Sequence, residues 1–292
     1  MNQVDDRKSQ KGFVLIAVLW IVAFLALTSA TFVAHVRINT LLAQATVNSR
    51  KLQAAADGMT RLISLQVATG NETASKIPKN GQLTFCNWGD DIAIAYSIQD
   101  QGGLVDLNTT NPNLLKAVIH GLGYSDSKSD SIVAAITDFK DPDALTPTGV
   151  DERRSYPPKS AGPNNGPFLV VEELDRIPGI DGADFRKLEP LFTVYSQQPG
   201  FDPKVAPTFL NETLKSSGGM GTVLSTFYSP SPERTFAIQV SAQAKSHAQF
   251  TRDAIIAVTG QPDRPFAIVK WSKRDRIEGA IFERGLDVNC IH

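Results

Sequence analysis

The sequence predicts an α+β fold: a long N-terminal transmembrane helix packed on a small antiparallel sheet, with a large helical domain inserted between its strands. Three observations carry this. Residues 13–34, FVLIAVLWIVAFLALTSATFVA, hold no charge, and helical spacing of apolar residues continues beyond them to about residue 68. Strand-like stretches fall into an early group, 82–88 and 92–100, and a late group, 235–244, 249–259 and 266–272. Between the groups, from Gln101 to about Tyr195, the chain reads as helices and polar loops.

The apolar run comes first. As a helix it measures about 33 Å, enough to cross a hydrocarbon core of about 30 Å. A cleaved secretory signal is the rival, but the run is too long for its apolar region, and Phe32, Val33 and Val36 continue past Ser29-Ala30-Thr31. Arg7, Lys8 and Lys11 put the N-terminus in the cytoplasm by the positive-inside tendency. Past the span, Leu41, Leu42, Leu52, Ala55, Ala56, Met59 and Ile63 recur at helical spacing with Arg37, Arg50, Lys51 and Arg61 between them, and Gly70-Asn71 is the stop. The early strands flank Gly89-Asp90-Asp91, a hairpin turn.

In the central region, a helix over residues 113–120 can be capped by Asn108 or Thr109 and ends at Gly121-Leu122-Gly123. A second unit, residues 171–180, reads as a helix and a Pro178-Gly179 turn, and the two together look like helix-hairpin-helix units. DNA-binding versions bring backbone N–H groups to a phosphate, yet here Asp126, Asp130, Asp181 and Asp184 lie beside the turns and no basic cluster does. Lys+Arg 29 against Asp+Glu 30 also speaks against a generic nucleic-acid binder. A membrane-anchored helix-hairpin-helix protein that binds DNA is therefore the alternative, and a packing unit the favoured reading.

After a helix over residues 131–137, an acidic loop carries Asp138, Asp141, Asp143, Asp151 and Glu152 among Pro142 and Gly149. Such a loop can supply the hard oxygens that Ca²⁺ requires, though it lacks the EF-hand spacing, and a solvated acidic loop is the plain alternative. His35, His120, His247 and His292 stand without a catalytic partner at motif spacing, and G-x-S-x-G, Walker and H-E-x-x-H motifs are missing. The chain reads as a structural protein, not an enzyme. Cys86 and Cys290 are left open between a disulfide and two thiols, and residues 274–292 give no clear element.

Lys11-Gly12-Phe13 ahead of an apolar helix resembles a type IV prepilin leader. An ordered set of segments sharpens this. It comprises Val18-Leu19-Trp20-Ile21, Gly103-Leu104-Val105-Asp106-Leu107-Asn108-Thr109, Asp138-Phe139-Lys140-Asp141-Pro142-Asp143, residues 149–152 and 168–174 with Pro178-Gly179, and residues 191–196. Together they resemble the minor pseudopilin K family of type II secretion (general secretion pathway protein K). The resemblance implies a prepilin leader at 1–12, a span at 13–36, a pilin-like α+β domain at 37–102 and 200–292, and an inserted helical domain at 103–199. It implies that prepilin peptidase cuts after Gly12 and that Phe13 is N-methylated. It implies calcium in the periplasmic part, with Asp138, Asp141, Asp143 and Asp151 as ligands. Most pilins carry Glu at the fifth mature position, where this chain has Ala17. Without that carboxylate a subunit cannot neutralise a neighbour's buried α-amino group, which suits the pseudopilus tip. The implied partners are the minor pseudopilins I, J and H, the inner-membrane secretion platform and the prepilin peptidase, with no nucleic acid. The implied location is the bacterial inner membrane, single-pass, with the C-terminal domain in the periplasm.

Overall fold

The computed structural model describes residues 7–70, 77–145, 149–156, 162–216, 226–274 and 290, residues 7–12 as backbone alone. Residues 1–6, the Gly-rich stretch 217–221 and residues 275–289 lie outside them. The chain divides into two compact units, residues 1–51 and 52–292.

One helix, α1 (Arg7–Thr69), enters both units, as the unbroken apolar periodicity predicts. In the first unit Phe13, Leu19, Trp20, Phe24, Leu27 and Phe32 are all exposed, and the helix is long and apolar enough to cross a membrane. Backbone and hydroxyl groups in such a setting need partners inside the helix. Thr28 and Thr31 donate to the carbonyls of Leu25 and Thr28 at 3.0 and 2.8 Å, and Thr40 does the same to Val36 at 2.8 Å.

In the second unit α1 turns amphipathic. Leu52, Ala55, Ala56, Met59, Ile63 and Val67 form one buried stripe, and Thr60 and Ser64 stay buried by bonding back to the helix at 2.7 Å. The stripe packs on a five-stranded antiparallel sheet of β1 (Thr84–Trp88), β2 (Ile92–Asp100), β5 (Thr235–Ala244), β6 (Gln249–Val258) and β7 (Phe266–Arg274), in that spatial order. Alternation sends Ile94, Tyr96, Ile98, Phe236, Ile238 and Val240 to the α1 face. There Arg252 of β6 pairs with Asp57 of α1 at 2.6 Å, with its guanidinium over the rings of Phe250 and Trp271. Cys86 and Cys290 form a disulfide, and the Cys290 N–H donates to the Asn87 carbonyl at 2.9 Å.

The helical insert lies between β2 and β5. A 3-10 turn, Gln101–Gly103, leads into it, and a Cβ on Gly103 would overlap the Val205 carbonyl, so only glycine permits this close approach. Two short strands, β3 (Val105–Asp106) and β4 (Phe192–Thr193), pair in parallel at its base. Buried Asp106 pins both connections: it accepts from the N–H groups of Asn108 and Thr109 and from Gln197 N–H and the Ser196 hydroxyl. The helices are α2 (Pro112–Gly121), α3 (Asp126–Lys140), α4 (Gly182–Leu188) and α5 (Thr208–Ser216), around a core that includes Leu107, Leu114, Ile119, Ile132, Phe139 and Leu174.

Three expectations change. The cap of α2 is Asn111, which accepts from Asn113 N–H at 2.8 Å with Pro112 at the first helical position. Asn108 instead exchanges two hydrogen bonds with the Phe168 backbone. The helix expected over 131–137 begins at Asp126, because Ser125 caps it. In the second hairpin-like unit the leading element is a 3-10 segment, Val171–Arg176, and Gly179 takes a positive φ of 88° before Asp181 caps α4. Asp184 then ties the two hairpin-like segments of the insert together, accepting from the Tyr124 hydroxyl at 2.5 Å and Lys128 Nζ at 2.8 Å.

Candidate metal site

α3 ends inside the acidic run. Asp141 flanks its C-terminus, with an N–H that still donates to Thr137, and Asp138 lies three residues back on the same face. The chain loops out and returns through an antiparallel bridge between Leu145 and Asp151, where Glu152 N–H donates to the Ala144 carbonyl at 3.2 Å. Asp151 caps a 3-10 turn, Glu152–Ser155, by accepting from Arg153 N–H at 2.9 Å. Asp151 is thus exposed and Glu152 buried. A second loop closes over the first: Asn164 and Asn165 N–H donate to the Phe139 carbonyl, and the Asn165 side chain donates to the Asp143 carbonyl.

These loops gather one carboxylate oxygen each from Asp138, Asp141 and Glu152 within 4.8 Å of one another. Glu152 is 2% exposed. Neither of its oxygens, nor Oδ1 of Asp141, has a hydrogen-bond partner among the described residues. Burial pushes the Glu152 carboxyl above the usual range, and Asp141, Asp138, Asp143 and Asp151 push it further. Burial, then Asp141 and Asp143, does the same to Asp138. An uncompensated buried carboxylate costs on the order of several kcal/mol.

The donor set fits a hard divalent cation, which would compensate the charge and take up the idle lone pairs. For Ca²⁺, with ligands at about 2.4 Å, two oxygens on one ion are at most about 4.8 Å apart. A cavity of about 220 Å³ adjoins the carboxylates, lined by Ser131, Asp138, Glu152, Ser155, Tyr156 and Pro178, with room for the water ligands that three carboxylates leave to be supplied.

Of the four residues that the sequence points to, the structure brings together Asp138 and Asp141. Asp143 accepts from Leu145 N–H at 2.8 Å and Asp151 from Arg153 N–H, so both carboxylates serve their own turns. A short Asp side chain meets an N–H two residues on more readily than a distant point. Glu152 is the residue that sequence reasoning passed over. Its signal was the capping tendency of Asp151, which turns the next side chain inward.

Residues 97–197, which include this cluster and most of the insert, match the family model of type II secretion system (T2SS) protein K. This part of the chain is similar to that family. No curated protein matches the chain. Among solved structures, the fold is similar to a chain in the crystal structure of the GspK-GspI-GspJ complex from the enterotoxigenic Escherichia coli Type 2 Secretion System. The TM-score is 0.58 at 15% identity, over 82% of this chain and 100% of that one. At that identity the likeness speaks for the fold, and it bears out the α+β pilin-like architecture. Gly12, Phe13 and Ala17 lie in α1, outside the residues that the protein K family matches. Phe13 is 75% exposed and Ala17 partly covered.

Proposed function

We propose that the chain is a minor pseudopilin of type II secretion, anchored in the inner membrane through residues 13–36 with the remainder in the periplasm. The observation that carries this is the protein K match over residues 97–197. It is supported by a pilin-like fold whose N-terminal helix is apolar enough for a membrane. On this reading prepilin peptidase cuts after Gly12, Phe13 becomes the methylated N-terminus, and the chain works by assembly, not catalysis. The structural relative comes from a complex of GspK, GspI and GspJ, which supports minor pseudopilins I and J as partners, with H and the secretion platform beyond them. Ala17 in place of a carboxylate supports the pseudopilus tip, where one axial neighbour is missing. DNA binding is the weaker reading, since Lys128 beside the first hairpin is engaged by Asp184.

Mass spectrometry of the membrane-extracted protein tests this. A chain beginning at methylated Phe13, lost in Gly12→Ala, is expected, together with co-purification of minor pseudopilins I and J. An unprocessed N-terminus and no complex would sink the proposal.

The insert would hold calcium through Asp138, Asp141 and Glu152, and the ion, when bound, cross-links the end of α3 to the 151–155 turn. Calorimetric titration with Ca²⁺ should show binding in the wild type and in Asp143→Asn, and none in Glu152→Gln. Equal losses in Asp143→Asn and Glu152→Gln would refute this ligand set.

A further inference from the structure

On β6, Arg252 meets α1, so strand alternation turns Asp253 to the opposite face of the sheet. Where that face meets the insert, a cavity of about 420 Å³ opens, with Leu104, Phe192, Tyr195 and Ile255 among its apolar walls. Its size falls within the roughly 300–1,000 Å³ of ligand pockets.

Three cations and three anions line it beside Gln99 and Gln101. Lys270 pairs with Glu172 at 2.8 Å and Arg274 with Glu189 at 3.3 Å, so two bridges join β7 to the insert and cancel four of the six charges. Arg186 and Asp253 remain. Arg186 is exposed, whereas Asp253 is half-buried. The Asp253 carboxylate accepts no hydrogen bond and joins no ion pair among the described residues. Burial raises its pKa despite the pull of Arg274 and Lys270. Both neighbouring cations already have partners, so Asp253 is the one anion of the lining left without a counter-charge in contact.

We propose that this cavity receives a basic side chain, lysine or arginine, presented by a segment of a partner protein, and pairs it with Asp253. Charge complementarity selects the occupant: an anion would meet the unpaired carboxylate, and a neutral apolar group would leave it uncompensated. Tyr195 offers an aromatic ring to the cation's stem or face. Arg186 suits an acidic residue beside the basic one in the partner. Asp253 and Lys270 lie beyond residues 97–197, and the inference stands whether or not the pseudopilin reading does.

The test uses the full-length mature chain in detergent and its thermal unfolding midpoint. The probes are Nα-acetyl-arginine amide and its neutral isostere Nα-acetyl-citrulline amide. The arginine compound should raise the midpoint, saturating at roughly millimolar concentration, and the citrulline compound should not. Asp253→Asn should abolish the response and, by removing an unpaired carboxylate, unfold at the same or a higher temperature than the wild type without probe. No arginine response, equal responses to the two probes, a response that survives in Asp253→Asn, or an Asp253→Asn midpoint below the wild type would each overturn the proposal.

Discussion

Truncating Asp57 to alanine should destabilise the unit of residues 52–292 by about 2–3 kcal/mol. The ion pair with Arg252 is 2.6 Å long, and the Arg252 side chain is only 8% exposed while that of Asp57 is 25% exposed. Removing one partner of a fully buried pair costs about 3–5 kcal/mol, because the other is left charged and dry. Partial hydration at the Asp57 end lowers that figure. Arg252→Met is the informative counterpart. It keeps a long side chain but gives up the stacking on Phe250 and Trp271, at 5.0 and 4.9 Å, and leaves an aspartate that water can still reach. Its cost should be smaller, about 1–2 kcal/mol. In the double variant no stranded charge remains, so the loss should fall short of the sum by about 1–2 kcal/mol. Urea unfolding followed by tryptophan fluorescence measures this directly, since Trp271 lies against the guanidinium. A coupling below about 0.5 kcal/mol, or a silent Asp57→Ala, would refute the view that this pair locks α1 to the sheet.

Other outcomes follow from the same structure. Replacing Cys86 and Cys290 with serine opens a loop closed over a separation of 204 residues. The chain-entropy estimate for such a loop is about 5 kcal/mol, so the urea midpoint should drop clearly, and a midpoint that is insensitive to the replacement would contradict it. Gly58→Ala adds a Cβ at ordinary contact distance, 3.9 Å from Trp88, inside α1. It should stabilise by about 0.5–1 kcal/mol, checked by the same denaturation curve. Asp100 is buried, and that burial raises its pKa against the lowering effect of Gly102 N–H and the Ser231 hydroxyl. With the folded pKa above the unfolded one, its stabilisation is complete below the unfolded value of about 4 and is lost as pH rises through the folded one. Asp100→Asn still accepts from Gly102 but cannot ionise, so its stability should decline less than that of the wild type over this window. Parallel pH profiles would count against the assignment.

α1 and the strands were legible because their signals are local. The absence of charge over residues 13–34, the stripe of Leu52, Ala55, Ala56, Met59 and Ile63, and the alternation in β2 and β5 each repeat with the period of the element they form. The cap of α2 was misplaced by two or three residues because Asn108, Thr109 and Asn111 all have capping side chains. The choice went to the one directly before Pro112, while Asn108 was drawn to Phe168, 60 residues away. At the carboxylate cluster the residue types were readable but the selection was not. Five acidic side chains lie between residues 138 and 152, and which of them face a common point depends on which backbone N–H groups have already claimed the others.

By itself, then, the sequence determined the α+β class, the long apolar N-terminal helix, the sheet strands in two groups and the acidic character of the loop after α3. All of these rest on periodicity or composition within a single segment. Tertiary structure decided the rest. It placed Glu152 with Asp138 and Asp141 and spent Asp143 and Asp151 on turns. It joined Cys86 to Cys290, set Arg252 against Asp57, and left Asp253 without a partner among the described residues. The pairings are contests among groups far apart in the chain, settled by the packing of the sheet, α1 and the insert, whereas Asp143 and Asp151 each bond an N–H two residues on.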